Sequence, residues 1–293
     1  MKVLIVHPSF FVYGGAEIVI RELVKYLNKH NIENKILTST MIADIRDDIN
    51  TEVIIPKEIL TRELQPLDAF IKWMKENRKE YDVINYHNYP AHYLAKFIKC
   101  PNVWQCNEPS PRILKGQSPS KEELNVVQNH INKVTVFDEY NAHKVKIFYN
   151  KEATVNYYGI DYDFFSKGNR DIGRKEYGIK DNDFFIVQVG MIHPEKNQAR
   201  TIQAVYNIIE YIPNIKLLLV GYTNHEYCSL LIGTIQKYNL QNHVQIKSHV
   251  LQEQLRDIYA GADLLIQPCT DHGGWLSPFE ALCTGTPIVV SIL

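Results

Sequence analysis

Short, nearly uninterrupted apolar runs rich in Val, Ile and Leu alternate with longer amphipathic stretches along almost the whole chain. Such runs predict strands buried on both faces, and apolar residues at three- and four-residue intervals predict the helices that cover them. In the first half the pattern predicts strands over 2–7, 35–38, 52–55, 82–86, 102–105, 133–137 and 153–157. Helical periodicity falls over 16–29, 67–78, 91–99, 121–131 and 139–148. The stretch 159–182 turns polar and glycine-bearing, which marks a boundary. The rhythm then restarts, with strands over 184–189, 215–220, 244–246, 263–267 and 288–291 and helices over 197–211, 226–238, 252–260 and 278–283. The predicted fold class is α/β, with two Rossmann-like doubly wound domains. An N-terminal domain over 1–160 is followed by a linker over 161–182 and a C-terminal domain over 183–293.

Composition narrows the functional classes. The 293 residues have room for two cores, and 45% hydrophobic with 22% charged residues fits a globular protein. Lys plus Arg number 32 against 33 Asp plus Glu, with no block of either sign, so a nucleic-acid partner is not expected. The nearest basic pairs, Lys144 with Lys146 and Arg170 with Arg174, read as solvated faces. Five scattered cysteines without a CxxC pair predict reduced thiols and a cytoplasmic location. His7 interrupts the apolar start, which reads as a first strand rather than a signal peptide. No run of 18 apolar residues predicts a membrane span.

Three glycine-bearing turns carry candidate chemistry. Gly14 and Gly15 follow the first strand and open a helix with Glu17 in its first turn, an arrangement that suits close approach of an anion. A plain turn accounts for the same two glycines. Gly190 follows the strand over 184–189, and Lys196 stands at the next helix start, where an ammonium can reach a diphosphate. In HGGWLSPFEALCTGTPIVV, Gly273 and Gly274 permit a tight turn, Ser277 suits an N-cap and Pro278 the first helical position. Glu280 is then expected in the first helical turn, where its carboxylate can accept ribose hydroxyls while amides near Leu276 and Ser277 meet phosphate oxygens. A local capping box from Ser277 to Glu280 explains that spacing too. His87, in NYHNYPAH, follows a predicted strand and reads either as a site histidine or as a satisfied loop residue. No HExxH or other ligand cluster is visible, so no protein-bound metal is expected, and any magnesium would ride on a diphosphate.

The segments GGAE (14–17), NYYGIDYDFF (156–165), VGMIHPEKN (189–197), LLLVG (217–221) and YAGADLLIQP followed by HGGWLSPFEALCTGTPIVV resemble, in order and spacing, the GT-B glycosyltransferase family 4, also called the glycosyl transferases group 1. The resemblance spans nearly the entire chain. It implies a GT-B arrangement and transfer of a sugar from a nucleoside-diphosphate sugar to an acceptor hydroxyl with retention. The acceptor class is a glycan, lipid or small molecule, and a peripheral membrane contact at the cytoplasmic face or a partner chain is compatible with it.

Residue by residue, the resemblance implies that Gly14, Gly15 and Gly190 approach donor or acceptor, that Lys196 neutralises the diphosphate and that Glu280 holds the ribose. Met191 stands where relatives commonly have arginine, and His272, preceded by Asp271, where they have a glutamate. Either Asp271 or His272 can take that polar role. Asn107 stands near the position of a histidine beside the reacting sugar; it can orient a hydroxyl but not transfer its proton. Relatives usually continue beyond the Gly-Thr-Pro strand, so the resemblance implies an incomplete second domain that lacks the usual C-terminal end. These departures leave two other functions open: a noncatalytic nucleotide-sugar-binding or partner protein, and a nucleotide-sugar epimerase.

Overall fold

The computed structural model describes residues 1–11, 14–107, 110–114, 116–248, 250–270 and 276–291. The chain divides into two compact units, Met1–Tyr158 and Gly159–Leu293. In the first, β1 (Lys2–Val6), α1 (Gly15–Lys29), β2 (Glu33–Leu37), α2 (Ala43–Asp48), β3 (Glu52–Ile54), α3 (Lys57–Leu60) and α4 (Pro66–Asn77) are followed by β4 (Val83–His87) and β5 (Asn102–Gln105). Then come α5 (Pro111–Leu114), α6 (Lys121–Asn129), β6 (Lys133–Val136), α7 (Glu139–Tyr149) and β7 (Ala153–Val155). Among the described residues the strands form one parallel sheet in the order β3-β2-β1-β4-β5-β6-β7. Strand order therefore reverses between β1 and β4.

Side-chain alternation explains why β1 is apolar throughout. Val3 and Ile5 pack with Ile20 and Val24 of α1, whereas Leu4 and Val6 point into a second cluster with Phe70 and Met74 of α4 and Trp104 of β5. Ser120 and Asp138 accept hydrogen bonds from the backbone N–H groups of Glu123 and Asn141, which starts α6 and α7. The helix expected over 91–99 is instead a 3₁₀ turn at Ala91–Lys96, closed by bonds such as Phe97 N–H to Leu94 O. Apolar residues three apart, Ala91 and Leu94, face one side of a 3₁₀ turn as readily as of an α-helix.

The second unit contains α8 (Tyr162–Phe165), α9 (Arg170–Glu176), β8 (Phe184–Val189), α10 (Gln198–Ile208), β9 (Ile215–Val220), α11 (His225–Lys237) and β10 (Val244–Lys247). It closes with α12 (Gln252–Gly261), β11 (Leu264–Gln267), α13 (Leu276–Cys283) and β12 (Ile288–Val290). Its parallel sheet has the order β10-β9-β8-β11-β12, so the reversal lies between β8 and β11. Phe185, Val187 and Val189 face Tyr259 of α12 and Ala281 of α13, while Ile186 faces α10 and α11. Both units are thus doubly wound and Rossmann-like, and the second sheet is the smaller.

Arg174 departs from the solvated face expected for it. It is 3% exposed, and its guanidinium donates to the carbonyls of Gly261, Lys180 and Asp183 and to the Asp263 carboxylate. Asp263 also accepts from Phe185 N–H, so the Arg174–Asp263 pair, buried on the arginine side, ties α9 to the starts of β8 and β11. Arg170 pairs with the same carboxylate from a half-exposed position.

Candidate functional site

In open α/β sheets ligands bind beyond the carboxyl ends of the strands, where strand order reverses. In the second unit that place is the end of β8 beside the end of β11. Gly190, the residue after β8, has φ +149, a conformation that favours glycine. A Cβ there would lie 3.6 Å from Gln267 Nε2 and 4.0 Å from Lys196 Cδ, so the lysine stem runs directly past this turn.

Lys196 ends a 3₁₀ turn, Pro194–Lys196, rather than opening an α-helix. Two bonds fix it. Gln188 Nε2 donates to its carbonyl at 2.6 Å, and Gln188 itself accepts from Thr201 Oγ1 at 2.6 Å. The next residue, Asn197, has φ +59 and donates to Pro268 O at 3.0 Å. The lysine turn is thereby pinned to β8 on one side and to the segment after β11 on the other. Burial pushes the Cys269 thiol up, and the Lys196 charge pulls it the other way, which marks the ammonium as a neighbour of that segment.

Helix α13 starts at Leu276, so Ser277 lies inside it and Glu280 is its fifth residue, not a member of its first turn. The Ser277 hydroxyl donates to Val189 O at 3.1 Å instead of capping the helix. That bond seats the helix start against the end of β8. Leu276 is buried beside it. Glu280 is 4% exposed and accepts from the Tyr259 hydroxyl of α12 at 2.8 Å. This tertiary bond holds one oxygen of its carboxyl. Gly190, Lys196, Leu276 and Ser277 therefore gather at one sheet edge, with Glu280 one turn along α13. His272, with Asp271, Gly273 and Gly274, lies outside the described residues.

The first unit has its own reversal, between β1 and β4. His7, which follows β1, and His87, which ends β4, have ring centroids 6.4 Å apart, and His87 pairs in register with Gln105 of β5. The Glu17 carboxyl bridges His7 Nε2 at 2.9 Å and the Gly14 N–H at 3.0 Å. Gly14 is extended, at φ −110 and ψ −170, and Gly15 is the first residue of α1. The glycine pair thus needs no left-handed backbone, and Glu17 rather than the turn itself fixes the Gly14 amide. Asn107 is 9% exposed and donates to the side-chain oxygen of Asn88, and its own buried Oδ1 has no partner among the described residues. Among the described residues both ring nitrogens of His87 likewise have no partner, and burial, reinforced by His7, lowers its pKa to about 3.

Among the described residues no three His, Cys, Asp or Glu are placed to hold a metal ion. Nor is any helix among them long and apolar enough to cross a membrane. Sequence reading passed over Tyr259, Gln188 and Gln267. The last two were legible as polar residues interrupting otherwise apolar strands beside the reversal. Tyr259 gave no such signal, because its spacing is that of a core aromatic.

Residues 169–292 match the family described as Glycosyl transferases group 1. Over 135 residues the chain is 26% identical to a D-inositol 3-phosphate glycosyltransferase of Segniliparus rotundus, a match covering 45% of this chain and 30% of that protein. Over 141 residues it is 30% identical to UDP-Gal:alpha-D-GlcNAc-diphosphoundecaprenol alpha-1,3-galactosyltransferase of Escherichia coli, covering 45% of this chain and 35% of that one. These matches span about a third of the curated relatives' length. The fold is similar to that of Anabaena Alr3699/HepE, solved in complex with UDP and glucose. The TM-score is 0.80 at 20% identity, over 99% of this chain and 80% of that one.

Proposed function

We propose, for a chain whose residues 169–292 match the family described as Glycosyl transferases group 1, that it moves a sugar from a nucleoside-diphosphate sugar to an acceptor hydroxyl with retention. The observation that carries this reading is the pinning of Lys196 between the ends of β8 and β11, beside a glycine turn and the start of α13. A diphosphate laid across that edge meets the lysine charge and the amides near Leu276 and Ser277, while Glu280, a turn further on, accepts from the ribose.

As the sugar–phosphate bond breaks, negative charge grows on the departing oxygen and the sugar becomes oxocarbenium-like. Lys196 stabilises that charge more strongly as it develops, which lowers the barrier rather than merely tightening binding. Met191 supplies no second cation, so this lysine carries more of the load than it would beside an arginine. The acceptor hydroxyl attacks from the face that the diphosphate leaves, and a phosphate oxygen takes its proton. In the first unit, Gly14, Gly15 and Asn107 serve the acceptor side. The named acceptors of the curated relatives, an inositol phosphate and a diphosphoundecaprenol-linked sugar, support a hydroxyl acceptor.

The test is incubation of the full chain with a panel of UDP-, GDP- and ADP-sugars while nucleoside-diphosphate release is followed with and without glycan, lipid-linked and small polyol acceptors. Acceptor-dependent release from one donor class is expected. Binding without release would favour a noncatalytic role, and an altered donor sugar without release would favour epimerisation.

A further inference from the structure

Tyr259 and Glu280 meet across two helices, 21 residues apart, at a fully buried hydroxyl–carboxyl contact of 2.8 Å. Nothing in the packing of α12 on α13 requires a hydroxyl there. Tyr259 lies in one apolar cluster with Phe165, Leu265 and Ala281, and its ring packs on that of Phe165, where phenylalanine would serve. The backbone of Tyr259 is held as well, since Thr286 Oγ1 donates to its carbonyl at 2.6 Å and Thr284 Oγ1 lies 3.0 Å from Thr286 Oγ1. A chain of side chains after α13 thus fixes the residue on α12 that fixes Glu280.

We propose that Tyr259 is a positioning residue for the nucleotide: its hydroxyl holds the Glu280 carboxyl in one orientation, and so sets how strongly the site distinguishes a ribose from a sugar lacking its hydroxyls. The inference rests on the donor reading above. A carboxyl has two oxygens and about four acceptor directions. The tyrosine occupies one on Oε2, which selects a side-chain rotamer and spares the bound state the cost of ordering it. Burial and the Glu280 charge both hold the phenol proton on, so the hydroxyl stays a donor across the working pH range.

The experiment titrates UDP, GDP and ADP, each beside its 2′,3′-dideoxy form, into the unaltered chain, Tyr259→Phe and Glu280→Gln by calorimetry, with thermal unfolding as a control. In the unaltered chain the ribose form of one nucleotide is expected to bind about 10- to 100-fold more tightly than its dideoxy form. Y259F should lose most of that ratio while binding the dideoxy form as before. E280Q should lose at least as much. Thr286→Val, which removes the side-chain donor to the Tyr259 carbonyl and leaves only the Ala262 N–H, should lower the ratio several-fold and stands in if Y259F does not fold. A ratio unchanged in Y259F and T286V but lost in E280Q would overturn the positioning role and leave the donor reading intact. Absence of binding by any nucleotide would overturn both.

Discussion

Lys196 owes its position to its backbone, whose carbonyl is held by Gln188 and whose successor, Asn197, is anchored to Pro268. Truncating its side chain therefore removes the charge without unseating the turn. Lys196→Ala is expected to lower donor turnover by about 100-fold, roughly 3 kcal/mol at the transition state, with an unfolding midpoint close to that of the unaltered chain. Steady-state release assays beside a thermal melt check both parts, and unchanged turnover would remove the lysine from the mechanism.

Buried histidines give a second residue-scale prediction. Burial pushes His87 and His92 down to about 3, with His7 adding to the effect at His87 and an Asn88 backbone contact opposing it at His92. Unfolded, both titrate near the ordinary 6.5. Between those values the unfolded chain binds more protons, so stability is full above the unfolded pKa and falls as pH drops toward 3. At pH 5 the loss is about 2 kcal/mol for each histidine. Urea unfolding at pH 7.5 and pH 5 should show it, and the drop should shrink in His87→Gln/His92→Gln. Equal stability of the unaltered chain at both pH values would contradict this account.

At the scale of elements, helix-to-helix fit in the second unit depends on an absent side chain. A Cβ on Gly173 of α9 would lie 1.9 Å from the Asp257 carbonyl of α12, so the backbone itself must move. Gly173→Ala is expected to cost about 2–3 kcal/mol and lower the thermal midpoint by several degrees. Gly233, inside α11, has nothing within 4 Å of its added Cβ, and Gly233→Ala should instead stabilise by about 0.5–1 kcal/mol. Calorimetric melts of the two variants should move in opposite directions. A Gly173→Ala midpoint that holds or rises would show that the α9–α12 contact is not the constraint.

The same elements show what a sequence can reveal. Strands such as β8 and β9 stand where their apolar runs put them, because a buried parallel strand needs no partner to be recognised. Short α2, α3 and α5 were not foreseen, since a turn or two of helix is too brief for periodicity to register. Helices α8 and α9 fill a stretch that composition alone made look polar, although their caps, Asp161 and Asn169, were visible. In the candidate site, the motif glycine Gly190 and Lys196 were legible from spacing. The start of α13 was not: local capping rules pointed to Ser277, whereas its hydroxyl is engaged by Val189 from a distant strand. Tyr259's contact with Glu280 was hidden for the same reason, as no local rule pairs residues on separate helices.

For the molecule as a whole, two doubly wound sheets each present polar side chains at their own reversal, and the lysine and glutamate read as donor ligands both belong to the second. Nucleoside-diphosphate binding should therefore report on that unit directly, before any acceptor is known. The most direct measurement is calorimetric titration of paired nucleoside mono- and diphosphates into the full chain and into Lys196→Ala. The account predicts that one base is preferred, that its diphosphate binds more tightly than its monophosphate, and that the lysine variant loses this advantage about 10- to 100-fold while monophosphate affinity holds. A diphosphate advantage that survives loss of the lysine would contradict it.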